Sequence, residues 1–232
     1  MALLLSLRVD AAEALPSAEV IVEAFRQVVF RTEGGEGVQG KPLVRWAGPV
    51  SASMDGDAAA IATHRADIVT LFKELSTLTG LKFALVVPGQ PTNLRIHFMP
   101  TAEIRRVAGL PAINCFGRFQ GSKENFVAMA GNVYISTDSE QKTRHCIPEE
   151  ITQVLGLPND TTLIPGSLFN DDNTTLRGLS LSDKILLRAL YDRRLRPGMS
   201  ASEAMPIARV VITELHARIA DAQKKGILAP SK

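Results

Sequence analysis

Apolar residues recur at helical spacing in four long stretches of the chain, and each stretch has one apolar stripe. The predicted helices cover residues 18–31, about 57–79, 181–192 and about 202–225. Ser17 is placed as the N-cap of the first helix, and Gly80 as the left-handed residue that ends the second. Each helix should therefore bury one face against a common core.

Shorter apolar and alternating segments between these helices predict strands. They cover residues 43–46, 81–87, 94–99, 113–119, 126–129 and 133–136. In the third of them, Leu94, Ile96 and Phe98 should face inward, which leaves His97 to solvent or to a sheet edge. Gly131 is interpreted as a turn that separates the last two strands.

The order of these elements predicts an α+β fold, with a twisted, antiparallel or mixed sheet and helices packed on one side of it. The chain has 232 residues, of which 45% are hydrophobic, and this suffices for one globular domain with appendages. We expect an N-terminal segment over residues 1–16, the domain over residues 17–200 and a C-terminal helix over residues 201–232. The single tryptophan, Trp46, is expected to anchor the core.

Charge and hydropathy argue against a nucleic-acid partner and against a membrane span. The formal net charge is +2, from 26 basic and 24 acidic residues, and aromatic residues make up 5%, so no nucleic-acid partner is expected. No apolar run approaches the roughly 20 residues of a membrane span. The apolar stretch from Met1 to Leu7 lacks a basic n-region. We interpret it as the remnant of a longer export signal, a misassigned start or an artificial end.

Residues 149–160 read E-E-I-T-Q-V-L-G-L-P-N-D, which keeps the spacing of the metallopeptidase pattern H-E-x-x-H-x-x-G-x-x-H but none of its histidines. Glu149, Gln153 and Asn159 stand at the three metal-ligand positions. Glu150 stands at the position of the general base, and Gly156 at the turn. The i, i+4 spacing of the first two ligand positions puts them on one face of a helix, as a shared cation requires.

The boundaries of this motif helix are also predicted from its residues. We expect the helix to begin after Cys146, with Pro148 in its first turn, and to end at Gly156. His145 then precedes the helix, and we interpret it as a lone, exposed histidine beside Arg144, with a stray metal ligand as the alternative.

The replaced histidines change the chemistry that the motif can perform. One carboxylate and two amides are hard, weak ligands that suit Ca²⁺ or Mg²⁺ better than Zn²⁺, and such hard cations usually need six or more oxygens. Without zinc, Glu150 has no activated water to deprotonate. We therefore expect no cofactor, with zinc or calcium as the alternative.

Two other interpretations of these polar residues remain open. Glu149, Gln153 and Asn159 could form a hydrogen-bonded network that holds the helix to the following loop. Alternatively, a pair of acids could cleave glycosidic bonds. The candidate acids are Glu149, Glu150, Asp160, Asp171 and Asp172.

Further segments carry a resemblance to known families. Residues 179–191 are similar to the helix that follows the active site in matrixin-like metzincins, and Phe169 stands where those proteins have the methionine of their Met-turn. Together with residues 146–160, 167–169, 190–192 and 195–199, these segments resemble the bacterial domain of unknown function 2927 family. The resemblance covers most of residues 20–200. It implies a zincin-like fold and an exported protein, and no proven activity.

The residues alone leave Cys115 and Cys146 open between one disulfide and two buried free thiols. The family resemblance favours the disulfide and a periplasmic or secreted location, with a signal peptide that is absent from this chain or truncated in it.

The function expected from these observations is a catalytically inactive pseudo-metallopeptidase. It would bind a peptide, a protein or a cell-envelope component in the groove between the sheet edge and the motif helix. One alternative is a peptidase-like hydrolase that uses Glu150 with a non-standard metal site. Another is a structural partner in which the groove has no function.

Overall fold

The computed structural model describes residues 15–31, 41–87, 89–170 and 175–227. Six helices and five strands are found in this part of the chain. In chain order they are α1 (Ala18–Phe30), β1 (Val50–Gly56), α2 (Ala58–Thr79), β2 (Phe83–Leu85), β3 (Leu94–Met99), α3 (Thr101–Ala108), β4 (Phe116–Gly121), β5 (Ala128–Ser136), α4 (Glu140–Gln153), α5 (Leu181–Leu190) and α6 (Ala201–Lys224).

The predicted ends of α1 and α2 are confirmed. The Ser17 hydroxyl accepts a hydrogen bond from the Val20 amide, so it caps α1. The carboxylate of Asp57 caps α2, and Gly80 ends that helix with a φ of +76°. Helices α5 and α6 both begin with a capping box, in which a serine and an acidic residue exchange hydrogen bonds with each other's amides.

The strands form one mixed sheet in the order β2-β1-β3-β5-β4. The pairings β1 with β2, β1 with β3 and β3 with β5 are parallel, and only β4 runs antiparallel to its neighbour β5. Parallel neighbours need long crossover connections, and α2 makes one of them between β1 and β2. Strand β4 is therefore an antiparallel strand at one edge of the sheet.

The two faces of the sheet differ in polarity. Leu94, Ile96 and Phe98 of β3 are buried on the face that α2 and α4 cover, as predicted. On the opposite face, His97 stacks on Tyr134, with 4.7 Å between ring centroids, and its ring lies 2.6 Å from the Asp55 carboxylate. His97 thus lies off the core face as expected. The predicted α+β class, with a mixed sheet and helices on one side, is confirmed.

Several predicted strands have different limits in the structure. The predicted strand over residues 43–46 is wrong, because only Arg45 forms an isolated bridge, with Val127. Strand β1 and helix α3 were not predicted. Gly131 is not a turn, and β5 continues through it. A side chain at Gly131 would approach Leu94 and the Trp46 ring, so this glycine makes room for the core.

The core is continuous and includes the predicted anchor. Trp46 is 2% exposed, and its indole N–H donates to the carbonyl oxygen of Val154 at 2.8 Å. This bond joins the segment before β1 to the residue that follows α4. Helix α6 packs against α1 and α5, and its residues Ala208 and Ile212 are fully buried.

Some predicted features lie outside the described residues: the apolar stretch from Met1 to Leu7, the acids Asp171 and Asp172, and the last residues of the C-terminal segment. Among the helices that are described, none combines the length and the apolarity that a bilayer span needs.

Candidate functional site

The motif lies at the end of α4, which is longer than its sequence suggests. The prediction that this helix begins after Cys146 is wrong: it begins at Glu140, and Pro148 lies inside it. The first turns are held by Thr143, whose hydroxyl donates to the carbonyl oxygen of Ser136 at 2.6 Å. The helix also ends at Gln153, before the turn that contains Gly156.

A disulfide joins Cys115 to Cys146, as predicted. Cys115 directly precedes β4 and Cys146 is the seventh residue of α4, so the bridge ties the edge strand to the motif helix. Beside it lies a cavity of about 330 Å³. Its walls are residues 112–115 and the side chains of Lys142, His145, Cys146, Glu149 and Glu150.

His145 belongs to this cavity, and the prediction that it is exposed is wrong. The residue is 5% exposed, because the segment around Leu176 covers it. Its Nδ1 lies 2.9 Å from the Leu176 carbonyl oxygen, which can only accept a hydrogen bond, so Nδ1 carries a proton. Its Nε2 lies 3.3 Å from Oε2 of Glu149, one helical turn further on.

Glu149 and Glu150 are both buried where α4 meets β4, at 7% and 4% exposure. The two elements approach each other closely at Gly117. A Cβ atom there would lie 2.6 Å from the Val154 side chain and 3.3 Å from Oε2 of Glu150. Only glycine fits at this point of the strand, so Gly117 fixes how near the edge strand comes to the Glu150 carboxylate.

The other two predicted ligand positions are engaged in separate hydrogen bonds. The Gln153 amide donates to Oδ1 of Asp160 at 2.9 Å. Asn159 donates through its backbone and its side chain to the carbonyl oxygen of Val28 in α1, both at 3.2 Å. Glu149 faces His145 and the sulfur of Cys115 instead. The contacts of the three positions thus lead to three different places.

Gly156 lies in the turn between Gln153 and Asn159. Its φ is +116°, and a Cβ atom there would overlap the carbonyl oxygen of Val44. The backbone conformation and the close approach both require glycine. The turn brings Asn159 back to α1, where its backbone and its side chain bond to Val28.

Phe169 is fully buried in the loop that follows the motif. The buried carboxylate of Asp183 holds this loop in place. Asp183 of α5 accepts hydrogen bonds from the Ser167 hydroxyl at 2.5 Å, the Leu168 amide at 3.1 Å and the Ser180 amide at 2.9 Å. Burial raises the pKa of Asp183, and these bonds oppose that rise. One side chain therefore fastens the loop to the start of α5.

A second depression runs along the outer side of β4. It is an open groove of about 940 Å³ between β4, the segment 41–44 and the turn at Gly156. Apolar side chains of Val29, Val44, Phe119 and Phe126 line it. Two exposed lysines, Lys41 and Lys123, also lie along it.

Sequence reasoning found the motif and missed its neighbours. It did not identify Gly117, or Asp183 as the residue that holds the loop. The signal for His145 was available, because His145 and Glu149 stand four residues apart, which is ligand spacing on a helix. His145 was weighed only as a stray ligand, because the helix was expected to begin after Cys146.

Comparisons with known proteins place the chain in a family. The family described as "Protein of unknown function (DUF2927)" matches residues 18–210. No curated protein sequence matches significantly. A structure of myroilysin has 13% sequence identity and a TM-score of 0.39, over 67% of this chain and 100% of that one. A crystal structure of myroilysin has 12% identity and a TM-score of 0.39, over 78% of this chain and 98% of that one.

Proposed function

The chain belongs to the DUF2927 family of unknown function, and from its geometry we propose that it is a catalytically inactive, zincin-like domain that binds an extended polypeptide. The observation that carries the proposal is the groove along β4. An edge strand offers a row of backbone donors and acceptors, and an extended chain can bind by adding to it as a further strand.

The contacts at the motif support the absence of zinc peptidase activity. Two of the three ligand positions are amides, which are poor zinc ligands. Gln153 is bonded to Asp160, and Asn159 is bonded to α1. A catalytic zinc would need both side chains to leave these partners. The residues present therefore do not fit a catalytic zinc ion, and Glu150 is left without a metal-bound water to activate.

The composition of the groove indicates which polypeptides it would accept. Its apolar side chains suit apolar residues of the ligand, at the alternate positions of an extended chain. Lys41 and Lys123 suit acidic side chains. We expect the preferred ligand to be an extended peptide that combines apolar and acidic residues.

The disulfide supports an extracytoplasmic location, because disulfides persist in oxidising compartments. Closing a loop with a sequence separation of 31 residues would stabilise the fold by about 3–4 kcal/mol in the chain-entropy model. The bridge also fixes the start of β4, and with it one wall of the groove.

A peptide library, screened against the disulfide-bonded protein, tests this function. The selected peptides should be rich in apolar and acidic residues. Their affinity, measured by fluorescence anisotropy, should fall about tenfold or more in the double variant Lys41→Glu, Lys123→Glu, which corresponds to about 1.4 kcal/mol. The control Lys225→Glu reverses a charge at the residue that follows α6 and should bind like the wild type. If no peptide is selected, or the control loses as much affinity, the proposal is wrong.

The alternative of a hydrolase has one observation in its favour, since Glu150 lines the cavity beside His145 and Glu149. It predicts turnover of a peptide or ester substrate that Glu150→Gln abolishes. Peptidase and esterase assays with and without a chelator separate the two functions, and we expect no turnover in either condition.

A further inference from the structure

Three side chains that can bind a metal ion meet at the junction of β4 and α4, and a fourth, His145, lies beside one of them. The sulfurs of Cys115 and Cys146 and a carboxylate oxygen of Glu149 all lie within 4.8 Å of one another. The Nε2 atom of His145 lies 3.3 Å from the Glu149 carboxylate. Glu149 is the first residue of the metallopeptidase pattern. The other three side chains come from residues that precede the pattern in the sequence.

His145 is held in the orientation that a metal ligand needs. Its Nδ1–H donates to the Leu176 carbonyl oxygen, so Nε2 is the ring nitrogen that faces Glu149 and is placed to bind a metal ion. A ligating histidine usually makes this kind of hydrogen bond through its other ring nitrogen. On α4, Glu149 stands four residues after His145 and three residues after Cys146, and both spacings bring side chains together on a helix.

We propose that reduction of the disulfide converts this cluster into a zinc site with the ligands Cys115, Cys146, His145 and Glu149. Two thiolates, an imidazole and a carboxylate form a donor set that suits tetrahedral Zn²⁺. In the oxidised protein both sulfurs are bonded to each other, so the site does not exist. The adjoining cavity gives the ion a path to the ligands.

The conversion needs a dithiol reductant, such as a protein or small molecule that carries two thiols. Its sulfurs form a new disulfide while the Cys115–Cys146 bond breaks, so two electrons pass to the cysteine sulfurs and its two protons end on them. Zinc then replaces these two protons, which go to solvent.

The oxidised state and the zinc-bound reduced state would both hold β4 to α4, through different bonds. The disulfide joins β4 to α4 covalently, and the zinc ion would join the same strand to the same helix by coordination. Four protein ligands close the coordination sphere, so such a site is structural and provides no metal-bound water. The inference is independent of peptide binding in the β4 groove.

Zinc titration of the full chain in both redox states tests the proposal. The protein is reduced with a phosphine, desalted without exposure to air and titrated with Zn²⁺ or Co²⁺. The reduced protein should bind about one ion per chain, as a closed structural site does, and with Co²⁺ it should show thiolate-to-metal charge-transfer absorption. The oxidised protein should bind neither. Zinc should raise the melting temperature of the reduced protein only.

Matched variants identify the ligands. His145→Asn keeps a donor for Leu176 but removes the ligand nitrogen, and Glu149→Gln removes the carboxylate. Each should weaken zinc binding to the reduced protein by about tenfold or more. Gln153→Ala and Asn159→Ala should leave it unchanged.

The same variants distinguish failure of this proposal from failure of the proposed function. If the reduced wild type takes up no zinc, or if His145→Asn binds it normally, the redox-dependent site is wrong. If zinc binds in the oxidised state and is lost in Gln153→Ala or Asn159→Ala, a metal occupies the motif itself, and the proposed absence of catalytic zinc is wrong as well.

Discussion

The residues before and after Ile151 in the motif region differ in what their polar groups do. On the side that faces the cavity, His145, Glu149 and Glu150 lie beside the disulfide. On the other side, Gln153 and Asn159 bond to Asp160 and to the backbone of α1. We call these the cavity half (145–150) and the framework half (153–160).

This difference gives the spacing of the motif a structural role. The framework half keeps the motif spacing because the turn at Gly156 and the bond from Asn159 to α1 hold the chain to the core. The cavity half carries the residues with acid-base and metal-binding chemistry. The structural and the chemical requirements of the motif thus fall on different residues, and they can be tested separately.

The largest loss of stability is expected for a substitution of Asp183, which holds the loop that follows the framework half. Asp183→Ala leaves the buried amides of Leu168 and Ser180 without their acceptor, and it removes the partner of the Ser167 hydroxyl. Each unsatisfied buried donor costs about 1–3 kcal/mol, so the free energy of unfolding should fall by roughly 3–5 kcal/mol. Urea unfolding followed by circular dichroism measures this. The exposed pair at Asp221 gives the control, since Asp221→Ala should change stability by less than about 0.5 kcal/mol.

Gly156→Ala should have the second largest effect. The substitution forces a φ of +116° on a residue with a side chain and drives its Cβ into the Val44 carbonyl oxygen. Strain of this kind costs about 1–3 kcal/mol before the overlap is relieved, so we expect a loss of about 3 kcal/mol. Gly80→Ala is the matched control, because Gly80 also has a positive φ but open space around it. A loss no larger than that of Gly80→Ala would mean that the turn tolerates a side chain.

The third prediction compares the two amides of the framework half. Asn159 is 6% exposed and donates to α1, so Asn159→Ala should cost about 1–2 kcal/mol. Gln153 is more exposed and bonds only a neighbouring loop residue, so Gln153→Ala should cost less than about 1 kcal/mol. The melting temperatures of the two variants show which substitution costs more stability. If Gln153→Ala costs more than Asn159→Ala, the bond from Gln153 to Asp160 stabilises the fold more than the bonds from Asn159 to α1.

The sequence predicts the fold well where the pattern is regular. Helix α2 has a clear apolar stripe and ends at a glycine, and β3 alternates strictly, so both were predicted nearly to the residue. Strand β1 was missed because its small and polar residues, Ser51 to Ser53, carry no such alternation of bulky side chains. In β5, Gly131 serves packing against Trp46, which sequence cannot distinguish from a turn.

The candidate site was less predictable, for a related reason. The motif positions could be assigned by spacing alone, since spacing is a property of the sequence. The cavity depends on Cys115, which lies just before β4, and the close approach of β4 to α4 depends on Gly117. Both residues come near α4 through the pairing of β4 with β5 and through the disulfide. The burial of His145 depends on a loop that lies 31 residues further along the chain. Contacts between distant segments of this kind leave no local pattern.

The smallest effect is expected at Glu150, in the cavity half. Glu150→Gln keeps the shape of the side chain beside Gly117, and it replaces one carboxylate oxygen at the cavity wall by an amide nitrogen. The free energy of unfolding should change by less than about 1 kcal/mol, because the variant creates no void and adds no volume. Urea unfolding measures it, and Ile151→Ala, at the next residue of the helix and fully buried, shows that the assay detects a loss of about 2–5 kcal/mol. If Glu150→Gln costs more than about 2 kcal/mol, the carboxylate itself holds α4 to β4. The cavity half would then carry structure as the framework half does, and the separation of the two roles would be wrong.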